Sequence, residues 1–211
     1  MKADNVTFKS KINFVSEKAF DKFRHGAYAD VRRLQTLPEY SIKCRAGMTD
    51  ADEFYTDEVR TCTAGGLINT KTRKAIGFHY YDDLSNLQNL EKFLKYLFDQ
   101  IKEPDRALLI GGKNLKYSNY SLPIFDKFKE VFSKKIKILS VFQEHLFPFS
   151  ESNIHYSAPK DEWTIHSMFR PKTGIVDNDL TSPDLFDCCF REIKIADGDS
   201  LFVDEKQVID I

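Results

Sequence analysis

Two runs of strand-forming residues, Thr61 to Ile68 and Ala75 to Tyr81, flank the polar stretch Asn69-Thr70-Lys71-Thr72-Arg73-Lys74. A connection that short has room for a turn but not for a crossover helix, so the pair is predicted to fold back as an antiparallel hairpin. The fold-back sets Cys62 opposite His79 or within two residues of it. Because side chains two apart on a strand share a face, a direct or diagonal contact between thiol and imidazole follows. Cys62 stands at the head of the first strand, in Arg60-Thr61-Cys62-Thr63-Ala64-Gly65-Gly66, and is expected in a small, polar and partly exposed setting.

Helices and further strands surround the hairpin. Ser16 can cap an N-terminal helix with Phe20, Phe23 and Ala27 at helical spacing, followed by Val31 and Leu34 before Pro38 stops the run. Tyr40, Ile42 and Cys44 alternate with Ser41 and Lys43, predicting a half-buried strand that turns at Gly47. Leu84, Leu87, Leu90, Leu94, Leu97 and Ile101 form the apolar stripe of a helix that Asp83 or Ser85 can cap and Pro104 ends. Ala107 to Ile110 reads as a buried strand running into Gly111-Gly112. Ser121 and Pro123 then open a second helix with a stripe of Ile124, Phe128, Val131 and Phe132. More strands are predicted at Ile136–Phe142, Asn153–Tyr156, Trp163–His166, Phe190–Ile195 and Ser200–Val203. Strands outnumber helices and several are joined by short turns. The predicted class is therefore α+β, with a central mixed β-sheet or β-sandwich flanked by helices. Its parts are an N-terminal helical appendage over 1–39, a core over 40–166 and a strand-rich C-terminal extension over 167–211 packed on the core.

Charge and composition exclude several functions. With 31 basic and 32 acidic residues the formal net charge is −1, which gives no bulk electrostatic attraction to nucleic acid or an anionic membrane. No apolar stretch approaches the roughly 20 residues of a bilayer span, and the charged N-terminus lacks the apolar core of a secretory signal. The expected location is the cytoplasm, or a host cytosol reached as an effector by a route that needs no cleaved signal. The four cysteines, Cys44, Cys62, Cys188 and Cys189, contain no Cys-x-x-Cys pair and are read as free thiols. No cofactor and no metal is implied. His155 and His166 with Asp187, Cys188 and Cys189 lack metal-site spacing and read as surface imidazoles and buried thiols. The acidic stretch from Thr49 to Phe54 puts Tyr55 where a calcium loop needs glycine and Thr61 where it needs glutamate, so it reads as a solvated loop. Lys71 to Lys74, and Lys127, Lys129, Lys134, Lys135 and Lys137, read as solvated basic faces.

Cys62 is the candidate nucleophile, provided that a neighbour activates its thiol, ordinarily a weak acid of pKa about 8.5. His79 is the base the hairpin supplies. His145, in Gln143-Glu144-His145 at a predicted strand end, is the alternative. A non-catalytic interaction module with an ordinary thiol is the reading from a different class.

The segments Gly47-Met48, Thr56, Thr61-Cys62-Thr63, Gly77-Phe78-His79 and Gly111-Gly112 together resemble the CheD family of protein-glutamine deamidases. In that family a threonine precedes the nucleophilic cysteine by six residues and a histidine follows it by seventeen, the separations of Thr56, Cys62 and His79 here. The likeness covers roughly Tyr40 to His166 and includes the later order helix, strand, helix, strand. Cytotoxic necrotizing factors and lethal-factor type deamidase toxins have a similar site. Arg60-Thr61 stand where the family usually has Gly-Ser, and Tyr80-Tyr81-Asp82-Asp83 where it favours Leu-Pro after the histidine. The resemblance implies a cysteine hydrolase with Cys62, His79 and Thr56 as its catalytic set. Its partner would be a protein carrying a surface glutamine, converted to glutamate through a thioester. A transglutaminase or acyltransferase would use the same thiol.

Overall fold

The computed structural model describes residues 11–15, 17–32, 46–111, 119–136, 138–143, 150–169, 193–195 and 200–201. In chain order these form β1 (Lys11–Phe14), α1 (Glu17–His25), β2 (Ala29–Asp30), β3 (Ala46–Thr49), β4 (Glu53–Val59), β5 (Thr63–Asn69) and β6 (Lys74–Tyr80). There follow α2 (Leu84–Asp99), β7 (Arg106–Gly111), α3 (Ser121–Lys135), β8 (Ile138–Gln143), β9 (Ser150–Ser157), β10 (Glu162–Phe169), β11 (Ile193–Ile195) and β12 (Ser200–Leu201).

The strands divide between two sheets, ordered β1-β10-β9-β4-β2 and β12-β11-β8-β7-β5-β6-β3. Both are mixed. β7 and β8 run parallel on either side of α3 in sequence, whereas β5 is antiparallel to both β6 and β7. Phe54, Ile154, Tyr156 and Trp163 of the first sheet share one buried cluster with Ala64, Ile68, Leu108 and Ile110 of the second, so the sheets pack face to face. Alternation along each strand then dictates what lies outside. Leu67, Phe78, Tyr80 and Leu109 point away from that seam and bury against Leu90, Phe93 and Leu97 of α2 and Ile124, Phe128 and Phe132 of α3. Phe78 stacks on Phe128 with ring centroids 5.1 Å apart. On the outer face of the first sheet, Tyr55 packs with Val15, Phe20 and Phe23 under α1. The protein is thus α+β, with two packed sheets flanked by helices, in agreement with the predicted class.

The hairpin forms between β5 and β6, and Asn69 shapes its turn by accepting the N–H groups of Lys71 and Thr72, each at 3.0 Å. Asp83 caps α2, accepting the Asn86 N–H at 2.8 Å. The helix ends at Asp99, ahead of Pro104, and Leu84 lies off its buried stripe, half exposed.

Three sequence expectations need correction. The N-terminal helix spans only Glu17–His25, because residues beyond Gly26 gain more from the first sheet. There Ala29 and Asp30 pair with β4, and the Val31 N–H donates to the Tyr55 carbonyl at 3.0 Å. Over its described residues the N-terminal region is therefore strand, helix and strand woven into a sheet. Gly47 lies inside β3 rather than at a turn. Glu53–Val59, read partly as a solvated loop, is a buried strand of the first sheet. The predicted strand Tyr40–Cys44 lies outside the described residues, as do Leu34, Gly112 and Lys137.

Gly47 has a steric reason to be glycine. A Cβ there would stand 1.8 Å from the Val31 carbonyl oxygen, backbone against backbone. Gly47→Ala is expected to cost about 1–3 kcal/mol, the usual range for overpacking, measured as a lower urea midpoint.

Candidate active site

Cys62 lies where the chain passes from one sheet to the other. β4 belongs to the first sheet and β5 to the second, so residues 60–62 bridge the sandwich. The cysteine side chain joins the cluster between the sheets, with Tyr81 packed at its edge, and is 7% exposed. The expectation of a partly exposed thiol is thereby corrected: the crossover tucks it into the seam. Two contacts fix this segment. The Thr61 hydroxyl donates to Asp82, two residues beyond the end of β6, at 2.7 Å. Gly111, at the end of β7, backs onto the Cys62 carbonyl so closely that a Cβ would stand 2.3 Å from it; its φ of 137° independently favours glycine.

The register places Ala64 opposite His79, and Cys62 two residues from Ala64 along the chain. Cys62 precedes the ladder, which begins at Thr63, and its side chain joins the inter-sheet cluster that also holds Ala64, the partner of His79. Phe78 and Tyr80 face the helices, which turns His79 into the seam, where it is 1% exposed. Thr56 lies two residues beyond Phe54 on β4 and points into the same seam from the other sheet. It is fully buried, and its Oγ1 lies 2.7 Å from His79 Nδ1. Taken without the resemblance, Thr56 reads as a loop or strand-end hydroxyl facing water; the structure overturns that reading.

Burial is the main cause that lowers the His79 pKa to about 3, and the nearby positive charge of Arg32 adds to it. The imidazole is therefore neutral at pH 7, with one ring nitrogen protonated. If Nδ1 carries the proton it donates to Thr56 Oγ1 and Nε2 keeps its lone pair, the tautomer a general base requires. The Tyr81 ring stands beside His79, centroids 5.0 Å apart.

The remaining candidates lie elsewhere. His155 and His166 are on the opposite face of the first sheet, under α1, and both are buried. This corrects their reading as surface imidazoles. His155 stacks on Phe23 with centroids 3.8 Å apart, and His166 Nδ1 lies 3.0 Å from the Val15 carbonyl oxygen. Among the described residues no group of three His, Cys, Asp or Glu side chains is arranged to hold a metal ion. His145, Cys44, Asp187, Cys188 and Cys189 lie outside the described residues. No described helix is long and apolar enough to cross a membrane.

Sequence reasoning missed the charged residues around the site. Arg32 stands 2.5 Å from Asp57 and 3.0 Å from Glu58, joining the end of β2 to β4. Burial pushes the Asp57 carboxyl up, while Arg32 and Arg24 pull it down. No local pattern announces such a cluster, because its members meet only once β2 and β4 are paired. No protein-family model matches the chain, and no curated protein matches it.

Proposed function

We propose that the protein is a cysteine-dependent protein-glutamine deamidase with a CheD-like fold, acting as a bacterial effector or toxin. The observation that carries the reading is the buried 2.7 Å contact between Thr56 and His79, made across two sheets, with Cys62 in the seam two residues before Ala64, the partner of His79. A cysteine and a histidine on neighbouring strands are commonplace. A third side chain that reaches from the facing sheet to orient the imidazole is the added feature expected of a nucleophile–base–orienter set.

The chemistry runs in two halves. Cys62 Sγ attacks the carboxamide carbon of a glutamine while its proton passes to His79 Nε2. The proton then goes to the departing nitrogen, the C–N bond breaks and ammonia leaves a thioester. Water attacks the thioester carbon and gives its proton to His79. The C–S bond breaks, the thiolate recovers the proton, and the product is glutamate. The oxyanion of each half needs N–H donors, most directly that of Cys62 itself. Thr56 positions His79 and does not touch the reacting atoms. An amine in place of water would make the same thioester a transglutamination intermediate.

Burial of Cys62 at 7% exposure favours a second reading, an interaction module whose thiol is only core. Alkylation decides between them. Under the deamidase reading iodoacetamide modifies Cys62 at neutral pH, followed by peptide mass, at least about tenfold faster than in His79→Ala. Equal rates in the two proteins would remove the physical basis of the deamidase and leave the interaction module.

A further inference from the structure

β4 does not run straight into the crossover. It pairs with β9 at Thr56↔Ile154 and again at Val59↔Ser152, so β4 carries one extra residue between those pairs. The result is a bulge at Asp57 and Glu58, and Glu58 has a φ of 55°, a left-handed conformation that a β-carbon disfavours. Such a conformation persists where the surroundings over-determine it. Two groups do so here. Asn153 Oδ1 accepts the Glu58 N–H at 2.9 Å, and the Arg32 guanidinium bridges the Asp57 and Glu58 carboxylates. Arg24 of α1 approaches the other oxygen of Asp57 at 3.4 Å.

Arg32 is itself held in place. The Arg32 N–H donates to Asp30 at 3.0 Å, and Val31 is bonded to Tyr55 on one side while its carbonyl rests on Gly47, the partner of His79 in β3, on the other. The turn carrying Arg32 thus links the strand bearing Thr56 to the strand beside His79.

We propose that Arg32 is the positioning residue of the site: by clamping the Asp57–Glu58 bulge it fixes Thr56 against His79 and aims the crossover that carries Cys62. The purpose of this clamp rests on the deamidase reading, but its mechanics rest on the bulge alone. Arg32 touches no reacting atom. The bulge begins at the residue after Thr56 and ends four residues before Cys62, so an error in its geometry reaches both.

The test compares Arg32→Gln with Arg32→Lys in the full chain, alone and combined with His79→Ala. Nitrogen NMR reads the His79 Nδ1–H as a slowly exchanging imidazole proton bonded to Thr56, iodoacetamide reads Cys62, and thermal unfolding reads the fold. Arg32→Gln is expected to stay folded, to lose the slow imidazole proton, and to erase the roughly tenfold or greater effect of His79→Ala on Cys62. Arg32→Lys recovers part of both signals. Persistence of the slow proton and of the His79 dependence in Arg32→Gln overturns the proposal. If Arg32→Gln does not fold, Asn153→Ala removes the other clamp on Glu58 and is read by the same two signals: their loss supports the clamp, their persistence overturns it. Loss of both signals in Arg32→Gln, where the wild-type protein itself deamidates no glutamine, supports the positioning role and sinks the deamidase. Deamidation at the wild-type rate by Arg32→Gln does the reverse.

Discussion

Under the proposed deamidase reading, Cys62→Ser is expected to leave the fold intact and to abolish deamidation, because a hydroxyl beside a neutral imidazole lacks the nucleophilicity of the thiol. His79→Ala is expected to lower kcat by roughly 10²- to 10⁴-fold, the range for loss of a general base. Thr56→Val should cost less, about 10- to 100-fold, equivalent to one charge-assisted hydrogen bond of about 1.5–3 kcal/mol as the imidazole takes up its proton. Thr56→Ser, which keeps the hydroxyl, should recover most of that loss. The readout is ammonia release together with the mass change of a modified glutamine in a target protein. If Thr56→Val turned over like the wild type, the 2.7 Å contact would be packing without catalytic meaning.

The second large effect concerns pH. His79 and His155 both have pKa values lowered to about 3, His79 by burial and Arg32, His155 by burial and the charges of Lys160 and Lys22. In the unfolded chain each returns to about 6.5, so between those values the unfolded state binds more protons and acid favours it. Their contribution is present above pH ~6.5 and is lost as pH falls toward 3, at a limiting slope of about 1.4 kcal/mol per pH unit for each histidine. Asp57, raised by burial, opposes this only as pH approaches its own titration range. Urea unfolding should therefore show a drop of about 3 kcal/mol between pH ~6.5 and ~5. His155→Phe, which keeps a ring against Phe23 and Tyr28, should roughly halve the slope. A urea midpoint that does not move over that interval would contradict the assignment of two buried neutral imidazoles.

The parts of this molecule legible in its sequence were those governed by local spacing. The hairpin followed from two apolar runs and a short polar link, and α2 from its leucine stripe and Asp83. β4 was illegible for a physical reason. Glu53, Asp57 and Glu58 give it the look of a solvated segment, Phe54 and Tyr55 bury opposite faces, and the bulge at Glu58 breaks the alternation that marks a strand. Thr56 was accordingly visible only through the resemblance and its spacing to Cys62. Arg32 had no such signal, since its partners Asp57 and Glu58 are distant in sequence and are charges that an ordinary surface would carry. The N-terminal strands were hidden for a similar cause: β2 is two residues long and exists only through its pairing with β4.

The division of the site between two sheets makes it a reporter on assembly. Thr56 arrives with one sheet, His79 with the other, and Cys62 is the stitch between them. An intermediate that has its hairpin but has not closed the sandwich would hold a thiol and an imidazole without the hydroxyl that orders them. On the deamidase reading, the complete set would exist only once the two sheets have met.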